Sequence, residues 1–179
     1  MTTVAIERKI LSENDRIAAD LRDAFARDGV LCLNFISSPG SGKTTFYRER
    51  FFNTHVRLSL DLLKTRERES AILRACLSVR QPFVVDNTNV TGEERTPYIA
   101  AAREGGFRVT GYYFSPNVRR SIALNKQRQS GKAVPVYGVL RAYKRLVPPH
   151  PAEGFNEIFT VDFGKENEFV VAPIRPEEG

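Results

Sequence analysis

The chain has 179 residues, a length typical of one compact domain, so we expect a single hydrophobic core. Its 41% hydrophobic and 27% charged residues exclude a wholly disordered protein, and no apolar run is long enough to span a bilayer. The first ten residues lack an apolar segment and include Glu7, Arg8 and Lys9, which predicts a cytoplasmic rather than a secreted protein. The separated cysteines Cys32 and Cys76 are expected in the core.

The net charge of +6 is unevenly distributed along the chain. Residues 101–150 carry ten basic residues and one acidic residue, whereas residues 151–179 carry seven acidic and two basic residues. A basic block of this kind attracts the phosphate groups of nucleotides or nucleic acids. A solvated helix face is the alternative interpretation.

Hydrophobic spacing predicts helices that alternate with strands. The N-terminal half is expected to form a helix over 13–28, a strand over 30–36, a helix over 43–52, a strand over 55–60, a helix over 64–79 and a strand over 83–86. The C-terminal half is expected to form a strand over 107–114, a helix over 116–128, a loop over 129–134, a helix over 135–146 and late strands over 158–163 and 169–171.

The helix that follows the 83–86 strand has two possible starts. Thr91 with Glu94 forms one capping box, but Pro97 then lies inside the helix. Thr96 as N-cap with Pro97 at the first helical position is the other start. The sequence leaves both open.

The alternation predicts an α/β fold in three layers, with a mainly parallel sheet and an extra N-terminal helix. The motif Gly40-Ser41-Gly42-Lys43-Thr44 after the first strand makes the expected sheet one of the P-loop NTPase or kinase type. We expect one domain over 1–179, with a helical extension (1–29), a lid region (115–134) and a C-terminal tail (164–179). Ligands of such sheets bind beyond the carboxyl ends of the strands. The predicted strand ends therefore place their polar residues at one edge.

The segment after the first strand has the core sequence of a P-loop. Its glycines allow backbone N–H groups to surround phosphate oxygens, Lys43 is expected at the β- and γ-phosphates, and the Thr44 hydroxyl is expected to hold Mg²⁺. Ser37 stands where the full pattern has glycine, and a glycine-rich turn without ligand is the alternative. The residues predicted to bind nucleotide here are Ser38, Pro39, Gly40, Ser41, Gly42, Lys43, Thr44 and Thr45.

Two carboxylates follow predicted strands and are expected near the P-loop. Asp86 is a candidate metal ligand, with an Asx-turn as its alternative role. Asp61 is a candidate general base for transfer of a phosphoryl group to a hydroxyl, with a helix N-cap as its alternative role. A basic cluster could close over the nucleotide or form a solvated face; it comprises Arg119, Arg120, Lys126, Arg128 and Lys132.

From about residue 40 to 161 the sequence resembles the polynucleotide 5′-hydroxyl kinases. The residues that carry the resemblance are Gly42-Lys43-Thr44-Thr45-Phe46, the strand end at Asp61, Val85-Asp86-Asn87-Thr88-Asn89, Asn125 through Arg128, and Glu153-Gly154-Phe155.

The resemblance implies that Asp61 is the general base, that Arg128 is a lid arginine on the ATP phosphates, and that Lys64, Asn87 and Asn89 bind the acceptor. Arginines common beside the base in that family are replaced here by Leu60 and Lys64.

Residues 10–45 resemble a second family, the nickel-insertion GTPases of hydrogenase maturation, so the chain resembles a composite joined at the P-loop. The rest of the sequence departs from that family. Its guanine-reading motif is matched only by Asn125 through Arg128, which ends in a residue of the wrong charge. The separated His55 and His150 do not form an obvious metal site with the cysteines.

The sequence predicts an ATP- and Mg²⁺-dependent kinase that phosphorylates a hydroxyl, with the 5′-hydroxyl of a single-stranded nucleic acid as the first candidate acceptor. A small sugar or nucleoside is the second candidate acceptor. A GTP-dependent metal-insertion assembly factor is a third hypothesis, and a folded but inactive hybrid is a fourth. Membrane partners are not expected, and the sequence does not predict the oligomeric state.

Overall fold

The structure is a computed structural model and describes residues 31–126, 134–164 and 168–174. The helix predicted over 13–28, with the 1–29 extension that contains it, lies outside the described residues, as do Arg128 and Lys132. Parts of the predicted lid and tail also lie outside them. The described residues all belong to one compact unit, Leu31–Gly179.

A six-stranded sheet forms the centre of the fold. Its order is β2-β3-β1-β4-β5-β6, and every neighbouring pair is parallel except β5 and β6, which are antiparallel. The predicted α/β fold with a mainly parallel sheet is therefore confirmed. The strands are β1 (Leu31–Ile36), β2 (Val56–Leu58), β3 (Phe83–Val85), β4 (Arg108–Phe114), β5 (Glu157–Phe163) and β6 (Phe169–Pro173).

Helices connect the strands and surround the sheet. They are α1 (Lys43–Arg50), α2 (Leu60–Leu63), α3 (Arg66–Ser78), α4 (Gly92–Glu104), α5 (Val118–Lys126) and α6 (Val136–Arg145), with a short 3₁₀ helix at Pro151–Glu153. The first of the two predicted starts for α4 is correct, since the Thr91 hydroxyl accepts a hydrogen bond from the Glu94 N–H. Pro97 lies inside this helix. None of the helices in the described part of the chain has the length and apolar composition needed to cross a membrane.

The strand predicted over 55–60 is shorter than expected. The ladder ends at Leu58, and the Leu60 N–H binds the Asn87 side-chain oxygen at 3.0 Å rather than a neighbouring strand. The next residues form the single helical turn α2, which contains Asp61. Asp61 therefore belongs to a helix rather than to a strand end.

An aromatic core holds α1 against the sheet. Phe46 of α1 is buried with its ring centroid 5.6 Å from Phe35 of β1 and 5.4 Å from both Tyr112 and Phe114 of β4. Tilted and edge-on ring pairs of this kind are favourable beyond the area they bury. The helix that follows the P-loop is thus fixed to the two central strands. Cys32 and Cys76 are buried and unbridged, as expected.

Candidate functional site

The carboxyl ends of β1, β2 and β3 open onto a cavity of about 210 Å³. The cavity brings together the P-loop, Asp61 and Asp86, which the sequence placed at one edge of the sheet. Asn87 and Asn89 also contribute to its wall, whereas Lys64 is not among the lining residues. The walls are formed by Pro39, Gly40, Ser41, Lys43, Thr44, Arg57, Leu60, Asp61, Arg66, Asp86, Asn87, Thr88, Asn89, Glu94 and Val134.

Two glycines of the P-loop have a backbone conformation that other residues rarely adopt. Gly40 has φ +82° and Gly42 has φ +90°. A Cβ atom on Gly40 would lie 2.3 Å from the Ser121 carbonyl oxygen, and one on Gly42 would lie 2.7 Å from the Phe163 ring. The turn therefore requires glycine at both positions, both for its conformation and for its close packing.

Ser37 replaces the first glycine of the motif without strain, because positive φ among the described non-glycine residues occurs only at other positions. Its hydroxyl accepts hydrogen bonds from Ser41 Oγ at 2.8 Å and from the Lys43 amine at 2.5 Å, and donates to the Ser38 carbonyl. Its N–H donates to the Thr88 carbonyl at 3.0 Å. Ser37 thus holds the P-loop lysine and ties the loop to the segment after β3.

Arg57 contacts both predicted metal ligands, and the sequence analysis did not identify it. Its Nη2 donates to Thr44 Oγ1 at 3.0 Å, and its Nε donates to Asp86 Oδ2 at 2.8 Å. Nη2 also forms an ion pair with Asp86. Thr44 and Asp86 therefore present oxygen atoms to the same cationic group. Hydroxyl and carboxylate oxygens are the kind of ligand that Mg²⁺ prefers. The residues present fit a divalent cation.

Asp61 lies on the cavity wall with an exposed side chain. Ser59, rather than Asp61, is the N-cap of α2, so the alternative role of Asp61 as a cap does not apply. The Lys64 amine donates to the Asp61 backbone carbonyl, which closes this single turn. Asp61 is therefore a lining residue of the cavity that does not cap α2.

A buried network holds the segment that carries Asp61. The Asn87 amide donates to Glu69 Oε1 at 2.5 Å and to the Tyr98 hydroxyl at 3.1 Å, while its oxygen accepts from the Leu60 N–H. Burial, together with the Glu69 carboxylate, raises the pKa of Tyr98 to about 12, so its phenol stays protonated and donates to Glu69. Asn87, predicted to bind acceptor, is thus engaged on both ends of its amide within the protein.

Arg66 joins this network at the cavity. Its Nη1 donates to Glu69 Oε2 at 2.8 Å and to the Tyr98 hydroxyl at 2.7 Å, although 67% of its side-chain surface is exposed. The sequence interpretation missed this exposed arginine, because it considered only Leu60 and Lys64, the positions just before and three residues after Asp61. Arg66, which is five residues after Asp61, supplies a cation at this wall of the cavity.

The motif residues Asn89 and Glu153 are joined through a buried arginine. Arg95 is fully buried; its Nε and Nη2 donate to the Glu153 carboxylate at 2.6 and 2.7 Å, and its Nη1 donates to the Asn89 carbonyl at 3.1 Å. The Asn89 side chain is itself buried and donates to Asn34 Oδ1 at 2.6 Å. Asn89 and Glu153, which carry part of the resemblance to polynucleotide kinases, therefore help to hold the segment after β3 in place.

The basic residues of α5 take different positions. Arg119 and Lys126 are exposed, whereas the Arg120 guanidinium lies 3.5 Å from the centroid of the Phe163 ring. Arg128, which the resemblance implies as the lid arginine, and Lys132 of the same basic cluster lie outside the described residues. In the described ranges, no group of three or more His, Cys, Asp or Glu side chains could hold a metal ion.

No protein-family model matches the chain. Curated proteins match it over short segments: the hydrogenase maturation factor HypB of Rhizobium leguminosarum bv. viciae is 42% identical over 67 residues, which is 37% of this chain and 22% of that protein. The hydrogenase/urease maturation factor HypB of Helicobacter pylori strain 26695 is 55% identical over 42 residues, 24% of this chain and 17% of that protein. The chain thus spans about a fifth of the length of these relatives, and the resemblance to hydrogenase maturation GTPases is partial.

Solved structures share the fold across most of the chain. A gluconokinase from Sinorhizobium meliloti 1021 covers 75% of this chain and 82% of its own, with a TM-score of 0.51 and 16% identity. Chaetomium thermophilum Kti12 in complex with ADP-AlF3 covers 73% and 88%, with a TM-score of 0.53 and 13% identity. The AvrRxo1-ORF1:-ORF2 structure with ATP covers 82% and 58%, with a TM-score of 0.58 and 13% identity. The chain shares its α/β fold with these three structures.

Proposed function

We propose that this protein is a kinase that transfers the γ-phosphoryl group of ATP to a hydroxyl group. The observation that carries the proposal is the shared cavity, in which the P-loop residues Lys43 and Thr44 lie with the carboxylates Asp61 and Asp86. A phosphate-binding loop alone suits many nucleotide-dependent proteins. A second carboxylate on the same wall is the group that transfer to a hydroxyl requires as a general base.

In the proposed reaction Asp61 accepts the proton of the attacking hydroxyl. The bond from that oxygen to the γ-phosphorus forms in line as the bond from the γ-phosphorus to the β–γ bridging oxygen breaks. Lys43, with Arg128 as a candidate, would stabilise the charge that spreads over the transferred oxygens. Thr44 and Asp86 would hold Mg²⁺, which would supply further charge neutralisation on the phosphates.

The 5′-hydroxyl of a single-stranded nucleic acid is the acceptor that we propose. Helix α6 supports it, because exposed Tyr137, Arg141 and Lys144 recur at positions i, i+4 and i+7 and so share one face. Exposed aromatic rings and cations are the groups that bind bases and phosphates of single strands. The same helix is tied to the cavity wall by an ion pair of 2.8 Å between Arg145 and Glu94.

The acceptor is tested by incubating the protein with labelled ATP and Mg²⁺ and a panel of 5′-hydroxyl DNA, 5′-hydroxyl RNA and small alcohols. We expect label on the oligonucleotides. Label only on a sugar or nucleoside would support the small-molecule alternative, which the fold shared with a gluconokinase favours. Label on no acceptor would contradict the kinase proposal.

The general base is tested by Asp61→Asn. Loss of the carboxylate removes the proton acceptor but leaves the P-loop, so we expect phosphoryl transfer to fall by about 10²- to 10⁴-fold with ATP binding retained. Transfer is measured with the labelled acceptor and ATP binding by equilibrium dialysis. Asp162→Asn is the matched control, since Asp162 is exposed and is not part of the cavity wall. An unchanged transfer rate in Asp61→Asn would reject the assignment.

The partial matches to HypB favour a second candidate, a nucleotide-switched assembly factor. That candidate predicts a preference for GTP and slow hydrolysis in the absence of an acceptor. Competition between ATP and GTP for the protein distinguishes the two candidates. Binding of ATP equal to or tighter than that of GTP would remove the second candidate.

A further inference from the structure

The Arg57 guanidinium lies between two side chains that are expected to hold a metal ion. It donates to Thr44 Oγ1 at 3.0 Å and to Asp86 Oδ2 at 2.8 Å. Only 17% of the Arg57 side chain and 3% of the Asp86 side chain are exposed. A buried carboxylate without a partner is costly, so the Arg57 guanidinium supplies the positive charge that balances Asp86 at this depth.

A divalent cation at the same two oxygens would leave no room for the guanidinium. Mg²⁺ requires near-octahedral oxygen ligands at about 2.0–2.1 Å. A guanidinium bonded to the same two oxygens would lie close to the ion, and two cations so close together repel each other strongly. We propose that Arg57 and the divalent cation compete for Thr44 and Asp86, so that the metal ion enters only as the guanidinium leaves. The proposal rests on the proposed function for its assignment of these two residues as metal ligands.

Displacement of Arg57 has a local reporter. The Arg57 guanidinium carbon lies 5.5 Å from the centroid of the Tyr47 ring, and the chain contains no tryptophan. Departure of the cation from the ring face changes the environment of that phenol. The ultraviolet difference spectrum of the protein therefore reports the exchange, and Tyr47→Phe identifies the part of the signal that comes from this ring.

The exchange predicts that removal of Arg57 strengthens metal binding without any change in the ligands. In the full-length protein without nucleotide, we expect Arg57→Gln to bind Mn²⁺ at least about tenfold more tightly than the unsubstituted protein. Binding is measured from the loss of the paramagnetic resonance signal of free Mn²⁺. We also expect Mn²⁺ to change the tyrosine spectrum of the unsubstituted protein but not of Arg57→Gln.

Arg66→Gln is the matched control, because it removes a cation from the same cavity without a contact to Thr44 or Asp86. We expect this control to change the affinity for Mn²⁺ much less than Arg57→Gln does. Equal effects of the two substitutions would overturn the proposal, since general charge repulsion would then explain both. Unchanged or weaker Mn²⁺ binding in Arg57→Gln would also overturn it.

A second variant keeps the proposal testable if Arg57→Gln fails to fold. Arg57→Lys keeps a positive charge beside Asp86 but lacks the branched guanidinium that also donates to Thr44. We expect its affinity for Mn²⁺ to lie between that of the unsubstituted protein and that of Arg57→Gln. Adding Asp86→Asn to either variant should abolish the gain, and a gain that persists would overturn the proposal. These readouts need no acceptor, so a failure of phosphoryl transfer would contradict the kinase function while leaving the exchange independently measurable.

Discussion

At the scale of single residues, several polar side chains of the site are held by hydrogen bonds to other protein groups. Ser37 holds the Lys43 amine, and Asn87 links the Leu60 N–H to Glu69 and Tyr98. The sequence predicted Lys43 as a nucleotide-binding residue and Asn87 as an acceptor-binding residue. In the structure the Ser37 hydroxyl orients the lysine, and the Asn87 amide holds the turn that carries Asp61.

His55 makes the stability of the fold dependent on pH. The ring is buried at 5.2 Å from the Phe51 ring, its Nδ1 lies 2.8 Å from Thr54 Oγ1, and its Nε2 is buried with no hydrogen-bond partner in the described structure. Burial lowers the pKa of His55 to about 4, below its ordinary value of 6.5. Between pH 6.5 and 4, the His55 ring therefore binds a proton in the unfolded chain but not in the folded protein.

We expect neutral His55 to make its full contribution to the free energy of unfolding above pH 6.5. This contribution is lost as the pH falls towards 4, with a total change of about 3 kcal/mol. His55→Gln should remove this slope from the free energy of unfolding, measured by urea denaturation across that range. The matched control is His150→Gln, which removes the other, exposed imidazole. The same slope in both variants would contradict this role of His55.

At the scale of elements, contacts with other parts of the fold hold α1 and the segment after β3 in place. Aromatic rings fix α1 to β1 and β4, whereas the ion pair of Arg95 with Glu153 fixes the 86–89 segment. Neither the aromatic rings nor Arg95 and Glu153 are among the residues that line the cavity. The phosphate loop and the carboxylate edge therefore depend on packing outside the cavity wall.

Phe46→Ala tests the support of α1. The substitution opens a cavity between the helix and the sheet, and we expect the free energy of unfolding to fall by about 3–5 kcal/mol, with weaker nucleotide binding at temperatures where the protein remains folded. Urea unfolding and equilibrium dialysis measure the two effects. Phe52→Ala is the matched control, because Phe52 is 65% exposed and its loss should have little effect on stability. Similar losses in both variants would argue against a special role for Phe46.

At the scale of the whole molecule, the basic charge of residues 101–150 is displayed in part on α6. Arg141 and Lys144 are exposed and lie on the same face as Tyr137. Binding of a single strand to such a face releases counterions from the nucleic acid. The affinity for an oligonucleotide is then expected to fall steeply as the salt concentration rises.

Replacing Arg141 and Lys144 together with Gln should reduce the slope of log affinity against log salt by about 1.4, because each phosphate contact contributes about 0.7 for single strands. Fluorescence anisotropy with a labelled 5′-hydroxyl oligonucleotide at several salt concentrations measures the slope. Replacing the exposed Arg48 and Arg74 with Gln removes the same charge elsewhere. If this control pair reduces the slope equally, α6 is not the binding surface.

The sequence alone predicted the order of the six strands and of every described α-helix except α2, together with the P-loop motif and the edge of the sheet at which Asp61 and Asp86 line the cavity. These features follow from hydrophobic periodicity and from glycine conformations, which are encoded over a few neighbouring residues. It also extended β2 one residue too far at its start and two residues too far at its end, where the Asn87 side chain that binds the Leu60 N–H lies 27 positions away in sequence.

Only the tertiary structure decided which distant side chains meet in the cavity. Arg57 and Asp86 are 29 positions apart, and Arg66 and Tyr98 are 32 apart. The pairing of β2 with β3 brings the first two together, and the packing of α3 and α4 near the sheet edge brings the second two together. No local pattern encodes such contacts, since they depend on how complete elements pack rather than on the propensities of neighbouring residues.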